Sequence, residues 1–71
     1  MREMVRSETL SERIATIRKG KGMSLEDIAT SMGITRQAVW KMERNPLGMQ
    51  MKTMMAMAKA MGCDIRDFFT E

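Results

Sequence analysis

Apolar residues recur along this chain at the spacing of a helical turn, and no segment alternates with the two-residue period of a strand. The first apolar stripe consists of Leu10, Ile14 and Ile17. Thr9 and Glu12 fit a capping box at the start of this helix, and Gly20 and Gly22 among lysines indicate its end. The pattern therefore predicts an all-α chain.

A pair of short helices joined by a tight turn is predicted between Leu25 and Arg44. Ser24 is a suitable N-cap for the second helix, Gly33 ends it, and Thr35 caps the third. The residues of this pair that would face or approach a core are Ile28, Ala29, Met32, Ile34, Val39 and Met42. An ordinary helical hairpin is the alternative, but it requires the glycine, the small alanine and the apolar positions to coincide by chance. The spacing therefore indicates a helix-turn-helix.

A fourth helix is predicted over residues 50–61, and Asp64 can cap a last short helical turn. The face of the fourth helix that we expect to pack into the core holds Met51, Met54, Met55, Met57, Ala58 and Met61. Methionine suits such positions because its flexible thioether fills irregular gaps. The alternatives are a soft-metal site that includes Cys63, and a methionine-lined protein interface to which Phe68 and Phe69 would contribute.

Length, charge and composition narrow the class of protein. The 71 residues allow one domain with a modest core, which we place at 9–71 after an N-terminal extension, 1–8. A net charge of +3 suits a polyanionic partner. With no histidine, one cysteine and no nucleotide-binding loop, the chain offers no catalytic constellation, so we expect neither an enzyme nor a cofactor. No apolar stretch suits a secretion signal or a membrane span, which favours the cytoplasm.

The outer face of the third helix carries the residues that indicate a partner. This face holds Arg36, Gln37, Trp40, Lys41 and Arg44. Three cations without an acid form a strip that suits the phosphates of DNA. Trp40 could belong to the core, but Val39 and Met42 already occupy that side of the helix. We therefore expect Trp40 to be partly exposed and to pack on a sugar, a thymine methyl group or an arginine stem.

The chain from about Thr9 to Phe69 resembles the phage repressor and Cro-like family of helix-turn-helix regulators, also called Xre-type. The resemblance covers nearly the whole chain and extends beyond the helical pair. It implies a compact five-helix, lambda-repressor-like DNA-binding domain whose third helix enters the major groove. It also implies a symmetric dimer on two half-sites about one turn apart.

The resemblance also assigns roles to individual residues. The DNA contacts of the family fall at Thr35, Arg36, Gln37, Lys41 and Arg44 of this chain. Among these, Arg36 could pair with guanine and Gln37 with adenine. A partly buried ion pair of the family, which links the first and third helices, falls at Arg18 and Glu43.

Three positions depart from the family pattern. Leu25 stands where several phage relatives carry a glutamine that contacts the DNA backbone. Asn45 follows the third helix, where glycine is common, and Trp40 stands where a small polar residue is common. We therefore expect the DNA contacts at Leu25 and Trp40 to differ from those of relatives.

Two functions remain after these observations. The first is a sequence-specific transcriptional regulator, a repressor, that binds double-stranded DNA as a homodimer. The second is an antitoxin or another protein-interaction module of the same fold, which would hold a partner protein through the methionine-rich or the C-terminal phenylalanine surface. A dependence of affinity on DNA sequence would favour the first, and a stable stoichiometric protein partner would favour the second.

Overall fold

A computed structural model of the protein describes residues 7–69, and all regular secondary structure in that range is helical. The α-helices are α1 (Ser7–Gly20), α2 (Leu25–Met32), α3 (Arg36–Arg44) and α4 (Met51–Ala60). Two short 3-10 helices, Pro46–Gly48 and Ile65–Phe68, follow α3 and α4. The described residues therefore contain four α-helices and not the five of the expected lambda-repressor-like domain, because the last predicted helical turn is 3-10.

The local signals at the ends of α2 act as the sequence predicts. The Ser24 hydroxyl accepts a hydrogen bond from the backbone N–H of Asp27 at 3.0 Å, and the Asp27 carboxylate accepts one from the backbone N–H of Ser24 at 2.8 Å. Gly33 ends the helix with a φ of 72°, a left-handed conformation that glycine adopts without a steric penalty. The reciprocal cap and the glycine fix both ends of this eight-residue helix.

The predicted start of α1 is wrong. Ser7 is already helical, so Thr9 lies inside α1 and cannot serve as its N-cap with Glu12. Residues 1–6 of the predicted N-terminal extension lie outside the described residues.

Every α-helix contributes to one hydrophobic core. Its buried members are Leu10, Ile14, Ile28, Ala29, Val39, Met54, Met57, Ala58, Met61 and Phe68. Leu25, Met32 and Met42 pack against this core and are partly buried, whereas Ile34 lies in the turn between α2 and α3 and is exposed. The expectation that Ile34 faces the core is therefore wrong. Phe68 is buried and its neighbour Phe69 is exposed, so the two phenylalanines diverge.

The methionines of α4 do not share one buried face. Met54, Met57 and the C-cap residue Met61 are buried, but Met51 and Met55 are 62% and 54% exposed. The predicted stripe was too wide, because a helix that is covered on one side buries only the residues of that side. No helix within residues 7–69 has the length and apolar character that crossing a bilayer requires.

Candidate nucleic-acid interface

The turn between α2 and α3 sets the geometry of the helical pair. The backbone N–H of Ile34 donates to the Ala29 carbonyl at 3.0 Å, which closes the C-terminal end of α2. Thr35 then takes an extended conformation, and its hydroxyl oxygen accepts from the backbone N–H of Ala38 at 3.0 Å. The chain thus needs only three residues to leave one helix and start the next. The small Ala29, buried at the contact, allows the close approach.

A buried ion pair fixes the inner side of α3 to α1. Two nitrogens of the Arg18 guanidinium donate to the two carboxylate oxygens of Glu43, at 2.8 and 3.1 Å. The third donates to the Met23 carbonyl at 2.9 Å. The Arg18 and Glu43 side chains are only 11% and 13% exposed, and the Ser11 hydroxyl donates to the Glu43 carbonyl. The structure thus joins Arg18 and Glu43, the two residues that the family resemblance paired. The pair directs the Glu43 carboxylate toward α1 and away from the outer face.

The outer face of α3 consequently carries positive charge alone. Its exposed side chains are Arg36, Gln37, Trp40, Lys41 and Arg44. Glu43 is the only acidic residue of α3, and Arg18 neutralises it where it packs toward α1. Val39 is fully buried beneath this face, so the helix cannot rotate without exposing an apolar residue.

Trp40 lies in the middle of this face and is 47% exposed. The guanidinium carbon of Arg44 lies 4.9 Å from the centre of the tryptophan ring, within the range of a cation–π contact. Arg36 precedes Trp40 by four residues and Arg44 follows it by four, so the three side chains form a row along the helix. Trp40 is therefore a surface residue of α3 and does not belong to the core.

A concavity of about 580 Å³ opens at the N-terminal end of α3. Its lining consists of Thr35, Arg36, Gln37 and Trp40. The Thr35 hydroxyl oxygen already caps α3, but its hydrogen can still be donated to a second group. An apolar ring, a guanidinium, an amide and a hydroxyl thus converge on one surface depression.

Two contacts that stabilise this arrangement had no signal in the sequence pattern. Ser11 reaches the Glu43 carbonyl across 32 residues of chain, and the Arg13 guanidinium donates to the Asp67 carbonyl across 54 residues at 3.0 Å. Helical periodicity reports which face of a helix is apolar, but not which polar side chain meets a distant carbonyl. These contacts link α1 to α3 and to the second 3-10 helix.

Asn45 and Leu25, which depart from the family pattern, take simple structural roles. Asn45 ends α3 with a φ of −136° and a ψ of 65°, outside the left-handed region that glycine would favour there and outside the α region that the following Pro46 disfavours. Leu25 is partly buried against the core and presents no polar group where relatives place glutamine.

Comparison of the sequence with known protein families identifies the family to which this chain belongs. A helix-turn-helix family model of the Cro/C1 type matches residues 14–68, which include all of α2, α3 and α4. No curated protein and no solved structure gives a significant match. The match covers most of the chain and contains both the helical pair and the ion pair that orients it. The chain therefore belongs to the Cro/C1-type, Xre-like helix-turn-helix family of DNA-binding regulators.

Proposed function

We propose that this protein is a sequence-specific repressor in the cytoplasm that binds double-stranded DNA as a homodimer and inserts α3 into the major groove. The observation that carries the proposal is the outer face of α3. It holds three exposed cations and no carboxylate, because the only acid of the helix is paired with Arg18 on the inner side. Such a surface attracts phosphate irrespective of sequence, and its amide and guanidinium groups can read base edges.

The position of each side chain along α3 suggests its role. Residues at the start of a recognition helix contact base edges, so Arg36 would pair with guanine and Gln37 with adenine. Thr35 would donate its remaining hydroxyl hydrogen to a phosphate. Lys41 and Arg44, one and two turns further along, would contact phosphates and set the position of the helix.

Selection of binding sites from random DNA tests this proposal, followed by affinity measurements on the selected site and on scrambled DNA at several salt concentrations. We expect the selected site to bind at least about a thousandfold more tightly, as specific sites usually do. Equal affinity for both DNAs at each salt concentration would overturn specific recognition. Placing the site across a promoter in a reporter strain then distinguishes repression, which predicts lower expression, from activation.

The proposed contact between two copies lies in a groove between α4 and the second 3-10 helix. The groove has a volume of about 810 Å³, and Met55, Cys63 and Ile65 contribute to its lining. Lys59 lies along it on α4, and Asp67 on the 3-10 helix. A two-fold axis brings the same patch of each copy together, so that the lysine of one copy can face the carboxylate of the other. A second copy therefore suits both the apolar lining and the charges.

A pair of variants with the same added charge tests this contact. Met55→Lys places a cation in the groove, whereas Met51→Lys places one on the same helix at a residue outside it. We expect only Met55→Lys to shift the monomer–dimer equilibrium toward monomer in sedimentation, and to weaken binding to paired half-sites about tenfold or more, since the second half-site would lose its linked partner. Identical dimerisation of the two variants would overturn this interface.

Cys63 provides an independent probe of the same groove. Burial, and then the Asp67 carboxylate, raise the pKa of the Cys63 thiol above its usual value. The thiol therefore alkylates more slowly than a free cysteine at pH 8, and faster as the pH rises. If the groove is the dimer contact, alkylation slows further as protein concentration increases through the dimerisation range. A rate independent of concentration contradicts the contact.

A second candidate function, binding to a protein partner, is favoured by the apolar residues that remain exposed outside the groove. Leu47, Met51 and Phe69 are 56%, 62% and 42% exposed. Recovery of one stoichiometric partner that Met51→Glu or Phe69→Glu releases, together with the absence of any selected DNA site, would favour this function over DNA recognition.

A further inference from the structure

We infer that Trp40 reads the 5-methyl group of a thymine, and so is a specificity-determining residue at one base pair of each half-site. The inference rests on the proposed DNA-binding function and names the base feature that this chain recognises with an aromatic ring. The observations that carry it are the exposure of the ring, its contact with Arg44 and the groups that surround it.

The ring leaves apolar surface exposed to solvent besides the face that Arg44 contacts. Trp40 is 47% exposed although the core side of its helix is close-packed at Val39. Small domains expose isolated large apolar residues often enough, but this one lies within a strip of cations and beside a concavity that it lines. Its position indicates a ligand that carries both negative charge and an apolar group.

Arg44 lies over the Trp40 ring from its C-terminal side. Its guanidinium carbon lies 4.9 Å from the ring centre, at a distance where the guanidinium is attracted to the ring face. Thr35, Arg36 and Gln37 lie on the other side, around the concavity. The ring therefore lies between Arg44, which we propose contacts phosphate, and Arg36 and Gln37, which we propose contact bases.

Only one base offers an apolar group in the major groove. Thymine presents its 5-methyl group there, whereas the edges of guanine, adenine and unmodified cytosine present hydrogen-bond donors and acceptors. If Arg36 or Gln37 pairs with a purine, the adjoining pyrimidine edge comes next to the ring. When the thymine methyl group packs against the Trp40 ring, apolar surface of the methyl group and of the ring is removed from water. A fourfold gain in affinity is expected, equal to about 0.8 kcal/mol for one buried carbon.

Replacement of single thymines by deoxyuridine isolates the methyl group, because deoxyuridine keeps every hydrogen bond of thymine. Each thymine of the selected site is replaced in turn, and the dissociation constant is measured for the wild type, Trp40→Ala and Trp40→Phe. We expect one thymine of each half-site to lose about fourfold in affinity when its methyl group is removed. The loss should disappear in Trp40→Ala and persist in Trp40→Phe, which keeps an apolar ring.

The sequence contains a single tryptophan, so the fluorescence of the wild type reports on Trp40 without a variant. We expect its emission to shift to the blue on the selected site and to shift less on the deoxyuridine-containing site, where the ring stays more hydrated. This measurement keeps the inference testable if Trp40→Ala does not fold.

The outcomes separate this inference from the proposed function. If no thymine shows a deoxyuridine effect, or if Trp40→Ala retains the whole effect, the inference is overturned while sequence-specific binding stands. If the wild type binds selected and scrambled DNA equally, the proposed function itself fails. A deoxyuridine effect at one position that depends on an aromatic residue at 40 supports both.

Discussion

Helix α3 carries charged residues on its two sides, and the two sets lie in different surroundings. On the inner side, Glu43 is 13% exposed and both of its oxygens accept hydrogen bonds from Arg18. On the outer side, Arg36, Lys41 and Arg44 are exposed and face no acid of their own helix. A buried charge has to be neutralised within the protein, whereas exposed cations keep their hydration until a partner arrives. The inner charges thus hold the helix, and the outer ones remain available for binding.

The largest expected effect comes from breaking the inner pair. Glu43→Ala leaves the Arg18 guanidinium buried without a counter-charge, and the loss of one partner of such a pair costs about 3–5 kcal/mol of unfolding free energy. Urea unfolding followed by circular dichroism measures it. Because a single core in a chain of this size rarely supplies more than about 3–5 kcal/mol, a large fraction of the variant should be unfolded near physiological temperature.

Two control variants test whether the loss of stability in Glu43→Ala comes from burial of an unpaired charge. Arg66→Ala removes one partner of the ion pair between Arg66 and Asp64, whose side chains are 83% and 49% exposed, and should lower the unfolding midpoint far less than Glu43→Ala does. The double variant Arg18→Met, Glu43→Leu replaces both charges by apolar groups and should recover most of the stability. A small loss in Glu43→Ala would contradict the structural role of the inner pair.

A smaller effect of another kind is expected from Arg36→Ala on the outer side. Loss of a bidentate contact with guanine should reduce the affinity for the selected site by about 1–3 kcal/mol and relax the preference at one base pair. The unfolding midpoint should not change, because Arg36 is exposed. Lys19→Ala, which removes an exposed cation from the last turn of α1, is the matched control. An equal loss of affinity in both variants would reduce Arg36 to a general electrostatic contribution.

Lys41→Ala should lower affinity by a similar factor on every DNA sequence. Its expected signature is a shallower dependence of log affinity on log salt concentration, by about 0.9 for one phosphate contact. Titrations at four or more salt concentrations measure this slope. If the slope stays unchanged while specificity at one base pair is lost, Lys41 contacts a base and not a phosphate.

The smallest effect concerns the exposed ion pair of the second 3-10 helix. Hydrogen bonds from the Arg66 side chain and backbone lower the pKa of the Asp64 carboxyl from its usual value of 3.8. A carboxyl with a lowered folded-state pKa stabilises the fold above its unfolded pKa, and this contribution disappears as the pH falls through the folded pKa. We expect the carbon chemical shift of the Asp64 carboxyl to titrate at higher pH in Arg66→Ala than in the wild type. Equal titration midpoints would contradict the pairing.

The sequence predicted those parts of the fold that depend on neighbours along the chain. The cap at Ser24, the left-handed Gly33 and the inward Val39 each follow from residue type and helical spacing. The outer position of Trp40 followed from the same reasoning, because Val39 and Met42 had already occupied the inner side. Local sequence signals therefore predict the helical pair and the composition of the candidate interface.

Other features could not be predicted because they depend on what lies opposite each residue in space. Met51 and Met55 match the buried methionines in chemistry, yet nothing covers their side of α4 within the described structure. Thr9 and Glu12 had the spacing of a capping box, but α1 already includes Ser7. The concavity at Trp40 likewise depends on how the turn places Thr35 beside α3, which periodicity does not report.

The link between Arg18, Glu43 and the Met23 carbonyl has a consequence for how this domain can change over time. It anchors α3 through side chains that do not belong to its outer face. Substitutions at positions 36, 37, 40, 41 and 44 can therefore accumulate without loss of the scaffold. The same separation makes the domain a suitable frame for libraries in which these five positions are randomised to obtain new operator preferences.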